Sequence, residues 1–177
     1  MSKIVYYVAS SLDGYICGPN EDISRFLPSG SGIDQYLADL QQFKTVIMGR
    51  RTYEFGYQYG LKPGQAIYPH MEHHIFSNNL VLDNSADNVS VKPISLDQVG
   101  AIRRKSTTDV YLCGGGQFAG WLLENGMLDQ LKLKLNPIIL GEGTPLFGNS
   151  TKAANWKLVD RSGFDDGLQI LTYDFVA

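Results

Sequence analysis

Two glycine-bearing segments of this 177-residue chain have the makings of a phosphate site. Gly114-Gly115-Gly116 follows the apolar run Val110-Tyr111-Leu112-Cys113 and leads into a helix-like stretch, residues 117–125. A strand that passes through glycines into a helix start lets an anion approach the backbone. The first N–H groups and the dipole of the helix then point at it. The second segment, Met48-Gly49-Arg50-Arg51-Thr52-Tyr53-Glu54, adds another glycine turn and two guanidinium groups. Cations at a helix start oppose the dipole unless an anion sits there, and the arginine fork matches phosphate oxygens. Thr52 reads either as a first-turn cap or as a phosphate donor. Together the segments predict a site for a phosphate-rich cofactor, although each alone is also a plain turn.

Other residues could carry chemistry. Ser77-Asn78-Asn79 follows the strand pattern 73–76 and contains no acid. An acid there would suit the free ribose hydroxyl of NAD, whereas Ser77, Asn78 and nearby arginines suit the extra phosphate of NADP. Asp13-Gly14 is a turn signature, and Asp13 is also a candidate catalytic or substrate-anchoring carboxylate. His73 and His74 are adjacent and would point to opposite faces of a strand. No acid or cysteine joins them and His70 at a ligand spacing, so no metal is expected. Arg103-Arg104-Lys105 falls at a predicted helix C-terminus, where cations suit the dipole, and reads as a solvated cap. Neither a Gly-x-Ser-x-Gly elbow nor a Walker loop is present.

The elements that must position these residues follow from hydrophobic periodicity. Strands are predicted over residues 3–9, 45–48, 73–76, 89–92, 110–113, 131–140, 156–161 and 168–175, and helices over 33–43, 96–105 and 117–125. Short apolar strands alternating with helices imply a mainly parallel α/β sheet, flanked by helices. The last third implies an antiparallel C-terminal edge. Leu131-Lys132-Leu133-Lys134-Leu135 alternates strictly, which predicts one buried and one wet face, and residues 131–140 are a candidate homodimer contact. Residues 56–64 form a Tyr- and Gly-containing loop, either a lid or a plain connection.

The length suits one domain over residues 1–177. A net charge of −3 argues against nucleic acid, no apolar run is long enough to span a bilayer, and two distant cysteines suit a reducing cytoplasm. The start of the chain lacks the layout of a signal peptide.

Three segments resemble, in order and approximate spacing, the dihydrofolate reductase superfamily: Val8-Ala9-Ser10-Ser11-Leu12-Asp13-Gly14-Tyr15-Ile16, Val46 to Glu54, and Leu112 to Gly116. The stretch Leu131-Lys132-Leu133-Lys134-Leu135-Asn136-Pro137-Ile138-Ile139-Leu140-Gly141-Glu142-Gly143-Thr144-Pro145-Leu146-Phe147 resembles the C-terminal reductase domain of the bifunctional riboflavin-biosynthesis deaminase/reductase. The resemblance implies a dihydrofolate reductase-like mixed sheet with NADPH lying across the strand ends. Ala9 and Ile16 would meet the nicotinamide amide. Gly49, Arg50, Arg51 and Thr52 would hold phosphates, and Ser77 and Asn78 the adenosine phosphate. Gly114, Gly115, Gly116, Gln117 and Phe118 would cradle the pyrophosphate. The implied reaction transfers hydride to a C=N carbon of a heterocyclic or ribosylamino small molecule. The closest type is 5-amino-6-(5-phosphoribosylamino)uracil reductase; dihydrofolate reductase and a non-catalytic NADPH-binding module are alternatives. Folate reductases carry a helix carboxylate about fifteen residues before the Met-Gly-Arg segment. Counting back reaches Ile33 with Asp34 beside it, so Asp13 and Asp34 are the candidate catalytic carboxylates.

Overall fold

A computed structural model describes residues 1–177. At its centre lies β1 (Ile4–Ser10), in which Ile4 and Tyr6 join the core on one face and Tyr7 the core on the other. Side chains alternate along a strand, so a strand apolar at every step must be covered on both sides. β6 (Val110–Gly114) and β7 (Gln130–Leu135) flank it in parallel. Outside β6 lie β3 (Thr45–Gly49), β4 (Glu72–Phe76) and β5 (Val89–Lys92), each parallel to its neighbour. Outside β7 lie β10 (Gln169–Val176) and β9 (Asn155–Gly163), antiparallel to their neighbours. The order across the sheet is β5-β4-β3-β6-β1-β7-β10-β9, the mainly parallel sheet with an antiparallel edge that the sequence predicts. β2 (Tyr15–Cys17) and β8 (Thr144–Pro145) pair as a separate ladder, too short for periodicity to announce.

Four helices close the two faces. α1 (Ser31–Leu40) and α2 (Arg50–Phe55) cover Tyr7, Val46, Met48 and Tyr111 with Leu40 and Tyr53. α3 (Leu96–Lys105) and α4 (Gly116–Glu124) cover Ile4, Tyr6, Ile47 and Leu112 with Val99, Ile102, Phe118 and Leu122. α1 ends three residues before the predicted limit of 43, where Phe43 turns onto the Tyr111 ring, centroids 5.6 Å apart.

Several expectations are corrected. β7 stops at Leu135, because Pro137 cannot donate to a ladder and the Asn136 side chain bonds the Lys134 carbonyl and accepts from Leu27 N–H. The lysine side of β7 is not wet, since α1 lies over it. Lys132 pairs with Asp39 and sits above the Tyr7 ring, and Lys134 sits above the Tyr36 ring with only 9 % of its surface exposed. Both edges of β7 are bonded, to β1 and β10. Arg103 is not a solvated cap. Its Nε donates to the Ser2 carbonyl and its Nη2 to Asp129, whose other oxygen accepts from Ile4 N–H, tying α3 to β1.

Asp13 also has a structural duty. Its Oδ1 accepts from Ser11 Oγ at 2.6 Å and from Leu140 N–H, and its Oδ2 from Gly141 N–H at 2.7 Å. These bonds pin the turn after β1 to the segment after β7. The Ser11 hydroxyl first, then the Gly141 and Leu140 amides, hold its carboxyl below the usual range.

Two predictions follow from these contacts. A Cβ at Gly120 would land on the Phe147 carbonyl oxygen and 3.0 Å from Ser150 Cβ. Gly120→Ala should therefore lower stability by about 1–3 kcal/mol in a urea titration, although alanine favours the helix by about 1 kcal/mol. Asp13→Ala should lower the melting temperature near neutral pH. A carboxyl depressed in the fold stabilises fully above its unfolded value of about 3.9, and the benefit vanishes as pH falls through the folded value. The gap between wild type and variant should therefore close in acid, and a gap that persists at the lowest pH would refute the pinning role.

Candidate active site

The parallel strands β1, β3, β4 and β6 run the same way, so the segments after them emerge along one edge of the sheet. A cavity of about 720 Å³ lies there, the usual ligand position in an open α/β sheet. Val8 and Ala9, consecutive residues facing opposite sides of β1, both line it, so it straddles the strand end. Of the residues singled out in the sequence, Ala9, Ile16, Gly49, Arg50, Arg51, Thr52, Ser77, Asn78, Gly115, Gly116, Gln117 and Phe118 all line this cavity. Gly114 is buried just behind it, with φ 134° and a cis bond to Gly115.

Within the glycine turn the three residues do different things. Gly114 occupies a backbone region that side chains rarely adopt. A Cβ at Gly115 would come 3.1 Å from Thr52 Oγ1, so the two glycine-bearing segments touch here. Gly116 is required by packing, since a Cβ would strike the Pro145 carbonyl oxygen. α4 starts without a side-chain cap, leaving its first N–H groups to the cavity side or to water.

Cations line the α2 side of the cavity. Arg50 Nε bonds Glu54 Oε1 at 2.8 Å and Nη1 bonds Asn79 Oδ1 at 3.0 Å, while Nη2 has no partner in the chain. Ser77 Oγ donates to the same Asn79 oxygen at 3.0 Å and accepts from Leu80 N–H. Asn78 is engaged differently, its Oδ1 accepting from Ile94 N–H. Arg51 meets Glu21 at 3.0 Å, an exposed pair that joins the turn after β2 to the start of α2. Surface pairs of this kind contribute about 0–1 kcal/mol and exchange readily for a stronger anion.

The structure does not bring the two candidate carboxylates into the cavity. Asp13 is held by Ser11, Leu140 and Gly141, and Asp34 is exposed in the first turn of α1. The cavity does contain residues that sequence reasoning missed. Asn79 was visible only as part of a polar turn. Trp121, three residues after the already singled-out Phe118 on α4, could have been found as part of one helix face, and the two stack with Phe76 in a row with centroids 4.9 and 5.8 Å apart. Glu21 arrives through a loop and has no sequence signal.

A second hollow of about 580 Å³ adjoins the first. Thr52, Phe55 and Cys113 line both, and Tyr59, Leu61, Ile67 and Tyr68 complete its aromatic wall without any arginine or lysine. Behind Cys113 lies a phenol cluster. Tyr36 and Tyr111 share a hydrogen bond of 2.9 Å, and Tyr68 OH contacts Cys113 Sγ at 3.6 Å. Burial pushes the Cys113 thiol up, Tyr36 up to about 12, and Tyr68 and Tyr111 well above their usual range. No group of three or more histidine, cysteine or acidic residues is placed to hold a metal ion, and no helix is long and apolar enough to cross a membrane.

Comparison with known proteins places the chain in a family. Bacillus subtilis (strain 168) YyaP is 25 % identical over 97 % of this chain and 94 % of its own length. A putative riboflavin biosynthesis protein from Shewanella sp. PV-4 superposes with a TM-score of 0.80 at 23 % identity, covering all of both chains. Dihydrofolate reductase from Enterococcus faecalis, solved with NADP(H), superposes with a TM-score of 0.69 at 18 % identity, covering 99 % of this chain and 97 % of that one. The sequence pattern of the RibD C-terminal domain matches residues 2–170, and the chain belongs to that family, with a dihydrofolate reductase-like fold.

Proposed function

We propose that the protein is an NADPH-dependent reductase that delivers hydride to the carbon of a C=N bond in a small heterocyclic or ribosylamino substrate. Membership of the RibD C-terminal domain family supports an oxidoreductase. The observation that carries the cofactor reading is the convergence of Arg50, Arg51, Thr52, Ser77 and the α4 start on one cavity beyond the strand ends.

These residues fit the cofactor chemically. The partnerless Nη2 of Arg50, with Ser77 and Asn79 beside it, offers donors to the phosphate that distinguishes NADP from NAD, and no acid follows β4 to repel it. The Gly115 turn, the Thr52 hydroxyl and the uncapped α4 start suit a pyrophosphate, and the Phe76–Phe118–Trp121 row offers an aromatic wall. Ala9 and Ile16 flank the inner end, where a nicotinamide would reach Cys113 and the second hollow. Bound there, NADPH would supply hydride, and the chain would orient the substrate and exclude water.

A ribosylaminopyrimidine phosphate is the substrate class that the riboflavin-type resemblance implies. A second class, an unphosphorylated heterocyclic imine such as a dihydropterin, is favoured by one observation: nothing cationic lines the second hollow to receive a phosphate. Turnover assays with both classes decide between them. We assign the protein to the cytoplasm as part of the same reading.

NADPH should bind and NADH should bind more weakly in fluorescence titration and thermal shift. Arg50→Ala should cost NADPH about 1.5–3 kcal/mol, the worth of a charge-assisted hydrogen bond, and leave NADH nearly unchanged. A folded wild type that binds neither nucleotide would refute the cofactor assignment.

A further inference from the structure

The least compensated charge in the molecule is Lys134. It faces α1 from the middle of β7, nine-tenths buried, and its Nζ makes no hydrogen bond and no ion pair within the chain. The Tyr36 ring lies 3.4 Å below the ammonium. A cation set this deeply without a counter-ion is costly, and its Nζ keeps a little accessible surface.

Its position gives it a use. Lys134 is the register partner of Ala9, which lines the main cavity, so both side chains leave the same face of the sheet at the same level. Its ammonium lies close enough to Cys113 for each to bear on the other's ionisation, and Cys113 lines both hollows. The surrounding groups are weaker acids than this ammonium. Tyr36 on α1, Tyr111 and the Cys113 thiol on β6, and Tyr68 from the segment before β4 are all held in their neutral forms by burial. Asp39 on α1 is occupied by Lys132 and by Tyr7 of β1, and β10 presents the apolar Ile170 at this register.

Accepting the reductase reading above, we propose that Lys134 is the acid of the reaction, donating a proton to the substrate nitrogen at the junction of the two hollows. As the C=N carbon takes up hydride, the π pair of the bond collects on nitrogen. Nitrogen then forms its new N–H bond with a proton from Nζ. The lysine is left as a neutral amine and is reprotonated by water. Its desolvation serves this role, because burial lowers the ammonium to about 8, where it remains charged at neutral pH yet releases its proton more readily than a surface lysine.

The test uses the full-length chain saturated with NADPH, in wild type and in Lys134→Met. Side-chain nitrogen NMR should show the Lys134 amine titrating near 8, below the ordinary lysine value of about 10.4. Lys134→Met should bind NADPH as wild type does and melt no lower, since a buried unpaired charge has been removed. It should lose on the order of 10²–10⁴-fold in NADPH oxidation with whichever of the ribosylaminopyrimidine phosphate and dihydrofolate the wild type reduces. Wild-type rate should fall as pH rises through 8, and that alkaline fall should be absent from the variant's remaining activity.

An ordinary lysine titration, or a variant that keeps its rate and its alkaline limb, overturns the assignment alone. A variant that melts lower and loses rate in proportion overturns it in favour of a structural prop beneath α1. Failure of the wild type to bind NADPH, or to oxidise it with either substrate, overturns the reductase reading, and this one with it.

Discussion

Burial of β1 on both faces is the constraint from which the site follows. Tyr6 needs α3 and α4 above it and Tyr7 needs α1 below it, so neither face of the central sheet is open to a ligand. Its edges are largely taken too, with β7 paired from Val5 to Ser10 and β6 from Ile4 to Tyr6, so β1 and β6 part only toward the strand ends. Only the ends of the parallel strands remain, and there the chain must turn into helices through residues that leave N–H groups unpaired. Putting Gly49 and Gly115 at two such turns is therefore a consequence of the sheet as much as a device for binding.

The same closure explains the unequal fates of two lysines on β7. In a sheet with one wet face, Lys132 and Lys134 would reach solvent. With α1 laid across that face their access is curtailed, and each finds company inside. Lys132 finds Asp39, a contact worth up to about 4 kcal/mol before desolvation at an effective dielectric constant of about 20. Lys134 finds only an aromatic ring, worth about 0.5–2 kcal/mol. Burial drives the Lys134 ammonium below the usual lysine range.

How much of this was legible in the sequence follows from which signals are local. The parallel core strands were readable because apolar runs and intervening helix periods are properties of short windows. The rim of the cavity was readable because Gly49, Arg50 and Gly115 lie next to strand ends in sequence as well as in space. What escaped were roles fixed by distant partners. Asp13 reads as a catalytic carboxylate until Leu140 and Gly141 arrive to bond it. Arg103 reads as a helix cap until Asp129 and the Ser2 carbonyl enclose it. The lysine face of β7 reads as wet because alternation reports amphipathicity and is blind to a helix placed over the polar side. The β2–β8 ladder escaped for another reason: neither strand is long enough to have a period.

The arginines at the start of α2 show how such a site can stay folded without its ligand. Positive charge at a helix N-terminus is unfavourable, yet α2 has only six residues and a correspondingly small dipole, and Glu54 and Glu21 take up the two guanidinium groups. Both pairs are partly exposed and screened, so each contributes about 0–1 kcal/mol. A phosphate offering bidentate, charge-assisted bonds is worth about 1.5–3 kcal/mol per contact and exchanges with them at a net gain. In the proposed reading, discrimination between phosphorylated and unphosphorylated ribose would depend on guanidinium geometry at Arg50, with Ser77 and Asn79 as its neighbours, and only weakly on the helix. The ion pairs hold both guanidinium groups at the cavity rim, which would reduce the ordering that binding of an anion requires.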